Sequence, residues 1–459
     1  MSEPVLTVAA MRAAERAVMD AGTSEWALMQ RAGEGAAQWV MRAAAGRSVT
    51  VLCGPGNNGG DGYVIAEALR RKGYAVDVVA PVEPKTETAR TARSAYAGPV
   101  SSEGPLDGAI VVDALFGYGL SRRVEGDFAR LLEEVSSSAS YKIAIDVPSA
   151  VESDTGAALG PLPQYDLTLA LGAWKQAHVM MPTMVSMGEL KCVPIGLDLG
   201  SATSFLSHPP RLQSPGADAH KYRRGLLAIV AGAMPGAPLL AAVAAMRAGA
   251  GYVKLLSAHS HPDAPADLVI EGGSAALEDK RLSAVLVGPG LGRDDSACEH
   301  LASVLARRQP AVLDADALHL LDADVIQQAD VTALCLTPHE GELAALCQAF
   351  DVTAHSKLDR ARGLHEQTGL TVLAKGPDTI LVGAKGTRFF PRASSWLSIA
   401  GTGDVLAGIT ASRLAVHGDP MRAAEEGAWL HHEAARIASP AFSASDLAQA
   451  VKPAMASFL

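Results

Sequence analysis

Short apolar runs alternate with amphipathic segments along most of the chain, and this alternation constrains the fold more than any other feature. It begins with the run SVTVLCG, a glycine-rich turn, the segment YVIAEALRRKG and a second run AVDVVAP. Strand, helix and strand in this order form a βαβ unit. Short apolar runs that repeat in this way indicate a parallel sheet covered by helices on both faces.

The alternation is interrupted once, which predicts two α/β domains. Residues 201–219 lose the periodicity and concentrate Ser, Pro and Gly, as is typical of a linker. We therefore expect a first domain at residues 1–200, a linker at residues 201–219 and a second domain at residues 220–459. The length of 459 residues agrees with this division, because a single core rarely organises so long a chain.

In the second half, the pattern predicts strands at LLAIVAG, YVKLLSA, SAVLVGPG, PAVLDAD, ALCLTP and TVLAKG, followed by a hairpin at TILVGAKGTRFF. Helices are predicted after Pro238, Ser296, Gly341 and Lys357. The chain is predicted to finish with two alanine-rich helices, one opening at GTGDVLAGI and one at residues 421–438.

Charge and cysteine content exclude several classes of protein. Lys and Arg number 39 and Asp and Glu 49, so the net charge of −10 offers no basic surface to nucleic acid or to an anionic membrane. The five cysteines are scattered without a CxxC pair, which argues against a disulfide scaffold or a thiolate zinc site and favours the cytoplasm. The charged N-terminal segment predicts an amphipathic helix rather than a secretion signal. Glycine and proline interrupt the uncharged residues 226–246, which predicts strand, loop and helix rather than a membrane span.

The first candidate site is the glycine-rich turn GPGNNGGDG at residues 54–62. Glycines there let backbone N–H groups approach a phosphate, and the start of the next helix adds partial positive charge. The turn contains GxGxxG, and Asp77 lies near the distance at which a dinucleotide-binding fold places its ribose acid. Asp77 falls inside the run AVDVV rather than at its end, however, so a tight loop without a ligand stays an alternative.

Two further apolar runs end in acids, Asp113 in VVDALFGYGL and Asp146 in AIDVPSA. Because the carboxyl ends of parallel strands share one crevice, Asn57, Asn58 and both acids are expected to converge there. Oxygens of Asn58, Asp113 and Ser149 suit a hard cation, and Asp146 suits general acid or base work. Either aspartate taken alone is equally well explained as a helix cap or turn former.

These motifs resemble the NAD(P)H-hydrate epimerase family over nearly all of residues 1–200. The resemblance implies a Rossmann-like doubly wound sheet, proton transfer by Asp146, and a potassium ion held by Asn58, Asp113 and Ser149. The residues that it implies as contacts to the hydrated nicotinamide nucleotide are Asn57, Asn58, Gly59, Gly60, Asp61, Gly117, Tyr118, Gly119, Leu120, Ser121, Arg122, Arg123 and Asp146. The chain has Ala150 where the family motif usually ends in glycine, which leaves the local backbone geometry and the rate open.

The sharpest signal of the second half is IAGTGDVLAGI, at which a helix is predicted to begin. Small residues at a helix start leave several N–H groups pointing into one concavity, which suits a transferring phosphoryl group, and Asp404 behind them can accept a hydroxyl proton. A plain helix N-cap is the alternative. The chain has no GxxxxGK[ST] run, so a P-loop nucleotidase is disfavoured.

Further motifs close the apolar runs upstream, namely VGPGLGR, LDADAL, LTPHEGE and LAKGPDT. They are expected along the same sheet edge. Asp314 and Asp316 suit contact with Mg²⁺ through water, although a turn or cap role is the simpler interpretation for at least one of them. His339 is either a loop histidine or a member of the site.

With GAPLLAAVAAMRAGAGYV and GTGDVLAG, these motifs resemble the ADP- or ATP-dependent NAD(P)H-hydrate dehydratases, relatives of ribokinase-like sugar kinases, from about His220 to the last helix. The resemblance implies a ribokinase-like α/β domain with ADP as the phosphoryl donor. The residues that it implies as contacts to the adenine nucleotide are Lys375, Gly376, Pro377, Asp378, Thr379 and Gly403. Those that it implies as contacts to the hydrate are Ala237, Gly292, His339 and Asp404.

Three other polar residues are interpreted structurally. Lys175 in GAWK is a candidate anion partner, but a surface lysine is the simpler interpretation. Adjacent histidines on a helix point about 100° apart, so His431 and His432 do not face one metal ion together. A helix-surface role is enough for both.

The two resemblances together imply a bifunctional metabolite-repair enzyme, an isomerase fused to a lyase. The first domain would interconvert the R and S hydrates NADHX and NADPHX, and the second would dehydrate the S form as ADP becomes AMP and phosphate. Asp404 would deprotonate the C6 hydroxyl, the hydroxyl would attack the terminal phosphoryl group, and the ring nitrogen would then expel phosphate. Uncharged helical faces such as PLLAAVAAM predict a homo-oligomer.

Two alternatives stay open. One is a ribokinase-like small-molecule kinase fused to a dinucleotide-binding module, which would leave a stable phosphorylated product. The other is a first domain that binds or scaffolds without catalysis, with Ala150 as a sign of lost activity. The sequence does not decide whether ADP or ATP is the preferred nucleotide, or whether NADHX or NADPHX is the preferred hydrate. It also does not decide whether the intermediate is channelled between the two sites.

Overall fold

The computed structural model of the chain describes residues 3–200, 202–272 and 274–459. The chain divides into two compact units, Met1–Leu206 and Ser207–Leu459. The division falls inside the predicted linker, where residues 204–206 form a short strand rather than irregular chain. Each unit has the predicted α/β architecture.

The first unit contains strands, helices and two short 3₁₀ turns, the latter at Gln176–Val179 and Thr183–Ser186. Its strands are β1 (Glu3–Leu6), β2 (Val49–Cys53), β3 (Val76–Val79), β4 (Val100–Ser101), β5 (Ile110–Ala114), β6 (Tyr141–Ile145), β7 (Leu167–Leu171), β8 (Trp174–Lys175), β9 (Glu189–Val193) and β10 (Ser204–Leu206). Its helices are α1 (Val8–Asp20), α2 (Glu25–Ala44), α3 (Asn57–Arg71), α4 (Glu87–Ala95) and α5 (Gly126–Ser137).

A seven-stranded sheet in the order β4-β3-β2-β5-β6-β7-β9 forms the centre of this unit. Every pair of neighbours in it is parallel, as predicted. Side chains of β2 alternate between a core shared with α2 and α3 and a core shared with α5, so both faces are covered. The strand order reverses between β2 and β5, and such a reversal opens a crevice beyond the carboxyl ends of the strands. The predicted Rossmann-like doubly wound sheet is confirmed.

The glycine-rich segment after β2 differs from its prediction as a turn, because α3 already begins at Asn57. The glycines allow close backbone approach at both ends of this short connection. A Cβ on Gly54 would lie 1.7 Å from the Leu115 carbonyl oxygen, and a Cβ on Gly59 would lie 1.9 Å from the Gly54 carbonyl oxygen. The helix therefore starts directly beneath the loop that follows β5.

The second unit contains the remaining strands and helices. Its strands are β11 (Leu226–Val230), β12 (Tyr252–Leu256), β13 (Val269–Glu271), β14 (Leu282–Val287), β15 (Ala311–Leu313), β16 (Leu334–Leu336), β17 (Thr371–Ala374), β18 (Ile380–Gly383) and β19 (Gly386–Phe389). Its helices are α6 (Gly236–Ala245), α7 (Asp295–Leu305), α8 (Asp316–His319), α9 (Glu340–Ala349), α10 (Lys357–Thr368), α11 (Thr402–His417), α12 (Pro420–Ala438) and α13 (Ala444–Ser457).

The strands of this unit run in the order β13-β12-β11-β14-β15-β16-β17-β18-β19. Neighbours from β13 to β17 are parallel, whereas β17, β18 and β19 are antiparallel and include the predicted hairpin. Helices α6, α11 and α12 pack on one core with β11 and β14. The predicted α/β fold is confirmed, and the predicted helix starts agree within a few residues.

The C-terminal end differs from its prediction, because a third helix, α13, follows the two predicted ones. Its apolar positions are mostly small residues interrupted by Pro453, so its periodicity is weak in the sequence. It nevertheless buries Leu447, Ala448, Val451 and Ala454 against α6, α11 and α12. Packing against these neighbours, rather than intrinsic propensity, stabilises it.

Two exclusions made from the sequence can be compared with the structure. Within residues 3–200, 202–272 and 274–459, no helix has both the length and the apolar character needed to cross a membrane. The uncharged stretch at residues 226–246 forms β11, a loop and α6, as predicted. The five cysteines are all unpaired thiols.

Candidate active sites of the two units

Asp146 follows β6 at the carboxyl edge of the first sheet, where it is 4% exposed and has a left-handed φ of 67°. One carboxylate oxygen, Oδ2, accepts a hydrogen bond from the backbone N–H of Tyr118 at 2.9 Å. The other, Oδ1, accepts hydrogen bonds from the backbone N–H of Leu171 at 3.3 Å and from the ammonium of Lys175. Both oxygens are therefore occupied by donors, and the orientation of the carboxylate is fixed.

Lys175 is the cation of this ion pair, so its interpretation as a surface lysine was wrong. Its side chain is fully buried, donates to the Leu171 carbonyl oxygen at 2.6 Å and lies 5.4 Å from the centre of the Tyr118 ring. Burial, together with the charge of Lys175, lowers the pKa of His178 to about 4. The neutral imidazole accepts from the backbone N–H of Lys175 at 2.9 Å and donates to the Asp146 carbonyl oxygen at 2.7 Å. The imidazole thus bridges the backbones of both partners.

Asp113 lies behind this site in a buried polar cluster with Ser149. Its carboxylate accepts hydrogen bonds from the Ser149 hydroxyl at 2.7 Å, from the backbone N–H groups of Ser149 and Leu115 at 3.1 Å, and from the Tyr165 hydroxyl. The Ser149 hydroxyl oxygen also lies 3.3 Å from the Phe116 carbonyl oxygen. Burial raises the pKa of Asp113, although these donors oppose the rise.

Asn58 completes the set of oxygens that the sequence suggested for a cation. Its amide nitrogen is buried and has no hydrogen-bond partner among the described residues. Exchanging the nitrogen and oxygen of the amide would put an acceptor in that position at no steric cost. A Cβ on Gly117 would lie 3.1 Å from Asn58 Oδ1 and 3.0 Å from Asp146 Oδ2, so the side chain faces the loop after β5. The Ser149 hydroxyl accepts from the Phe116 N–H of the same loop at 2.9 Å, so the Asn58 and Ser149 side chains both meet this loop. Their oxygens are of the kind that a hard cation such as potassium takes as ligands.

A cavity of about 720 Å³ opens in front of Asp146 within the first unit. The loop after β5, the start of α3, and helices α1 and α2 form its walls. The predicted hydrate-binding residues that line it are Asn57, Asn58, Asp61, Gly117, Tyr118, Gly119, Leu120, Ser121, Arg122 and Asp146. Three others, Gly59, Gly60 and Arg123, are not among the lining residues, and neither is Asp113. The volume is sufficient for a drug-sized ligand.

Three further acids line this cavity, namely Glu15, Glu25 and Asp61, and the sequence motifs include only Asp61. Asp61 is buried, and burial together with the nearby Asp146 and Glu15 charges raises its pKa well above the ordinary value. Glu15, on α1, accepts a hydrogen bond from the Tyr118 hydroxyl at 2.6 Å. Glu15 lies one helical turn after the buried Met11, on the same face of α1, but nothing in the sequence links it to Tyr118.

In the second unit, Asp404 lies in the first turn of α11 and is half-buried. Gly401 precedes this helix with φ of 90°, a conformation that glycine adopts without strain. Within the described part of the chain, no hydrogen bond or ion pair involves the Asp404 carboxylate. Burial, and then the negative charge of Asp314, raises the pKa of Asp404 to about 6. The group can therefore both accept and hold a proton near neutral pH.

Lys375 is the cation of this second site. Its ammonium donates to Asp314 at 2.6 Å and lies 3.5 Å from Glu342. Burial lowers the pKa of Lys375, but the Asp314 and Glu342 charges outweigh burial and the net shift is upward. Asp314 also accepts a hydrogen bond from the Thr337 hydroxyl at 2.8 Å. Asp314, Thr337 and Lys375 directly follow β15, β16 and β17. These three motifs therefore lie at one edge of the sheet, as predicted.

The predicted nucleotide-binding segment, residues 375–379, follows β17 in an irregular loop. A Cβ on Gly403 would lie 3.4 Å from Lys375 Nζ, which puts the start of α11 beside this loop. Lys357, a residue with no role in the sequence analysis, pairs with Asp378 at 2.7 Å. Gly376 has φ of 157°, and a Cβ there would lie 2.7 Å from Lys357 Nζ. The backbone conformation, rather than this contact, favours glycine at this position, because the flexible Lys357 ammonium could move away from a Cβ.

The predicted hydrate-binding residues of the second unit lie at the ends of several elements. Ala237 is in the first turn of α6, and Gly292, with φ of 88°, donates its N–H to Asp316 at 3.0 Å. His339 caps α9 by accepting from the backbone N–H of Gly341 at 3.0 Å. Asp316 also pairs with Arg293 at 2.9 Å, so it orients the loop after β14 and does not join Asp314 in one carboxylate pair.

The helix-surface interpretation of His431 was wrong. Its imidazole is buried and bonds to the Thr402 carbonyl oxygen at 2.9 Å, directly beneath the start of α11. Burial and the neighbouring His432 lower the pKa of His431 to about 3. The neutral ring therefore donates a hydrogen bond that supports the turn carrying Asp404. Among the residues that the structure describes, no group of three or more His, Cys, Asp or Glu side chains could hold a metal ion.

Family models match both units. Residues 25–177 match the model described as YjeF-related protein N-terminus, and residues 227–455 match the model of NAD(P)H-hydrate dehydratase. The first match begins at residue 25, so it leaves α1 outside. The order of the two matches is the order of the two units.

Relatives match over almost the whole chain. The bifunctional NAD(P)H-hydrate repair enzyme Nnr of Thermosynechococcus vestitus is 32% identical, over 94% of this chain and 92% of the relative. The protein of the same name from Mycobacterium tuberculosis is 33% identical, over 89% of this chain and 88% of the relative. Both similarities therefore extend over the two units of this chain.

Among solved structures, a ribokinase-like superfamily protein from Enterococcus faecalis covers 54% of this chain and 92% of its own, with 22% identity and a TM-score of 0.50. This likeness supports the ribokinase-like fold of the second unit. An ADP/ATP-dependent NAD(P)H-hydrate dehydratase from Bacillus subtilis, co-crystallised with ATP and Mg²⁺, is 25% identical over 54% of this chain and 95% of its own, with a TM-score of 0.45.

Proposed function

Because the chain belongs to the family of bifunctional NAD(P)H-hydrate repair enzymes, we propose that it restores NADH and NADPH from their hydrates by two reactions. The first unit interconverts the R and S hydrates. The second unit removes water from the S hydrate and converts ADP to AMP and phosphate. The observation that carries this assignment is the unpaired Asp404 carboxylate, whose pKa is raised to about 6 at the start of α11.

The second reaction solves a leaving-group problem. Hydroxide leaves the hydrated ring poorly, whereas phosphate leaves it well. Asp404 takes the proton of the C6 hydroxyl, whose oxygen then forms a bond to the terminal phosphorus of ADP as the bond to AMP breaks. The backbone N–H groups at residues 401–403 stabilise the charge on the transferring group. The ring nitrogen then expels phosphate, and loss of a C5 proton restores the coenzyme.

We assign adenine-nucleotide contacts to Lys375, residues 376–379 and Gly403, and hydrate contacts to Ala237, Gly292 and His339. The paired Lys375 ammonium beside Gly403 supports the first assignment, since it can shift from Asp314 to a phosphate oxygen. Asp314 is almost wholly buried and already paired, which fits a Mg²⁺ ion that keeps its waters and is held mainly by the phosphates. When bound, Mg²⁺ would neutralise phosphate charge. ADP is the proposed donor on the family resemblance alone.

For the first reaction, we assign the cavity of the first unit to the hydrated nicotinamide nucleotide. Asp146 is the proposed proton-transfer group, and the contacts that fix its orientation support this role. Asn58, Asp113 and Ser149 are the proposed potassium ligands, with the Phe116 carbonyl oxygen as a neighbour. Bound potassium would add positive charge behind the loop after β5. Self-association and a cytoplasmic location stay predictions.

The deciding experiment supplies an equal mixture of R and S hydrates with ADP, with ATP or with no nucleotide. We expect complete conversion to NADH with ADP and none without nucleotide, measured by NADH absorbance and released phosphate. Asp404→Asn should abolish phosphate release while R and S hydrates still interconvert. Asp146→Asn should stop conversion at about half of the mixture, which is the S share. A stable phosphorylated product without NADH would identify a kinase and contradict the proposal.

A further inference from the structure

Helix α1 forms one wall of the cavity in the first unit, and hydrogen bonds at its start hold it in position. Thr7 caps its start by accepting a hydrogen bond from the backbone N–H of Ala10 at 3.2 Å, and the N–H of Val8 donates to Asp154 at 2.8 Å. Met11 is buried in the core one turn later. The next turn on the same face carries Glu15, whose side chain lines the cavity.

Tyr118 joins Glu15 to Asp146. The backbone N–H of Tyr118 donates to Asp146 at 2.9 Å, and its side-chain hydroxyl donates to Glu15 Oε2 at 2.6 Å. The two carboxyl groups therefore contact opposite ends of one tyrosine residue, on the wall of one cavity. Among the described residues, Glu15 Oε1 has no hydrogen-bond partner, whereas both Asp146 oxygens are occupied.

Glu15 and Asp146 differ in their electrostatic surroundings. Asp146 has an ammonium group in contact with it, whereas Glu15 has no ion-pair partner among residues 3–200, 202–272 and 274–459. Burial raises the pKa of Glu15, although the Tyr118 hydroxyl and Lys175 oppose the rise. A proton therefore resides more readily on Glu15 than on an exposed glutamate. The ionisable groups whose charges or hydrogen bonds act on Glu15 are Tyr118, Lys175, Asp146, Glu25 and Asp61, and Arg12 and Arg122 line the same cavity.

We propose that Glu15 is a second catalytic group of the epimerase cavity and works with Asp146 from the other end of Tyr118. This inference rests on the proposed epimerase function of the first unit. Inversion at C6 requires a bond to C6 to break and to re-form on the opposite face, so two proton-transferring groups at separate positions suit the reaction better than one.

Glu15 and Asp146 each carry out one proton transfer of the reaction. Glu15 gives its proton to the C6 hydroxyl oxygen, and the C6–O bond breaks with its electron pair leaving in water while the ring-nitrogen lone pair forms a C=N bond. Water then attacks C6 from the opposite face, and the C=N electron pair returns to nitrogen. The proton that this water loses goes to Asp146. In the opposite direction the two carboxyl groups exchange roles, and exchange with solvent resets them.

Glu15→Gln tests the proposal, with Asp20→Asn as the matched control, because Asp20 is an exposed carboxylate on the same helix. Each variant of the full chain receives R hydrate with excess ADP and wild-type dehydratase activity, so epimerisation limits NADH formation. We expect Glu15→Gln to lower epimerase kcat about 100-fold or more with KM changed by less than about threefold. Glu15→Asp should restore part of kcat, and Asp20→Asn should match wild type.

If wild type does not epimerise the R hydrate, the proposed function of the first unit fails. If wild type epimerises and Glu15→Gln does so within about threefold of its kcat, the role of Glu15 is overturned. Urea unfolding followed by a probe in the first unit shows whether the variant is folded there, because dehydration of S hydrate reports only on the second unit.

A second measurement applies to wild type alone and does not depend on the folding of a variant. In water labelled with heavy oxygen, the loss and return of water predict that each S hydrate formed by the enzyme carries the label at C6. The readout is the mass of S hydrate formed beyond the spontaneous rate. Unlabelled product would overturn the proposal, because a ring-opening route that keeps the original oxygen does not need Glu15 to protonate a leaving hydroxyl.

Discussion

Asp146 and Asp404 are the proposed proton-transfer carboxylates of the two units, and their surroundings differ in almost every respect. Asp146 is buried, paired with Lys175 and bonded through both oxygens. Asp404 is half-buried, has no partner within the described residues, and has a pKa raised to about 6. The first arrangement fixes a negative charge in one orientation, and the second leaves a base free to take a proton. Direct contact with an ammonium group thus distinguishes Asp146 from Asp404, whose neighbouring cation, Lys375, is paired with Asp314 instead.

The substitution with the largest expected effect is Lys175→Met, which leaves the buried Asp146 charge without its cation. We expect the free energy of unfolding of the first unit to fall by about 3–5 kcal/mol, since an uncompensated buried charge is costly. The measurement is urea unfolding followed by a probe in that unit. Lys191→Met is the control, because Lys191 pairs with the exposed Glu189. Its loss should lower the free energy of unfolding by less than about 1 kcal/mol. Equal effects for both variants would contradict the pairing.

The backbone at the start of α11 offers the next test. Gly401→Ala should lower the free energy of unfolding of the second unit by about 2 kcal/mol. The reason is that φ is 90° and the new Cβ would lie 2.9 Å from the Ala444 Cβ. Gly418→Ala at the other end of the same helix has a left-handed φ but no atom within 4 Å, so it measures the conformational cost alone. Thermal unfolding of the second unit gives both values. A larger loss for Gly418→Ala would show that the contact with α13 is unimportant.

The raised pKa of Asp404 predicts the pH dependence of dehydration. Its ionised form is the base, so kcat/KM should fall about tenfold per pH unit below 6 and stay level above it. The measurement is the initial rate on pure S hydrate from pH 5 to 8, with ADP in excess. A flat profile across this range would show that Asp404 does not act as the base, or that the nucleotide cancels the effect of burial.

The smallest expected effect concerns Ala150, which has φ of 73° where the family motif usually has glycine. Ala150→Gly removes the strain of a left-handed alanine but also removes a buried methyl group, and each contributes about 1 kcal/mol. We expect these contributions to cancel, so stability and epimerase rate should both stay near wild type. Ala150 is fully buried beside the loop that follows β5. A rate increase of tenfold or more would indicate that alanine limits this unit.

Much of the fold could be predicted because buried parallel strands appear in the sequence as short continuous apolar runs. β2, β5, β7 and β11 are buried at every position, so their signals are strong. Helix α13 was missed because its buried positions are mostly alanine. The start of α3 at Asn57 was missed because glycines usually signal a turn, whereas here they allow a helix to begin against a neighbouring loop.

The candidate sites were predictable to the extent that motifs end strands or begin helices. Asp146 and Asp404 follow from that rule, and so does the meeting of Asp314 with Lys375. The burial of Lys175 was not predictable, because a lone lysine in a sequence is more often exposed. The role of Glu15 was not predictable either, since one acid on an amphipathic helix carries no signal of its partner.

The sequence by itself determined two successive α/β units and the order in which polar motifs reach the sheet edges, because periodicity and strand-end position are local properties. Only the tertiary structure decided which charges are paired and where protons reside. Those properties depend on atoms far apart in the chain, such as Lys175 with Asp146, Lys375 with Asp314, and Glu15 with Tyr118. Electrostatic energy changes steeply over a few ångströms in a buried site, and spacing along a sequence does not fix such distances.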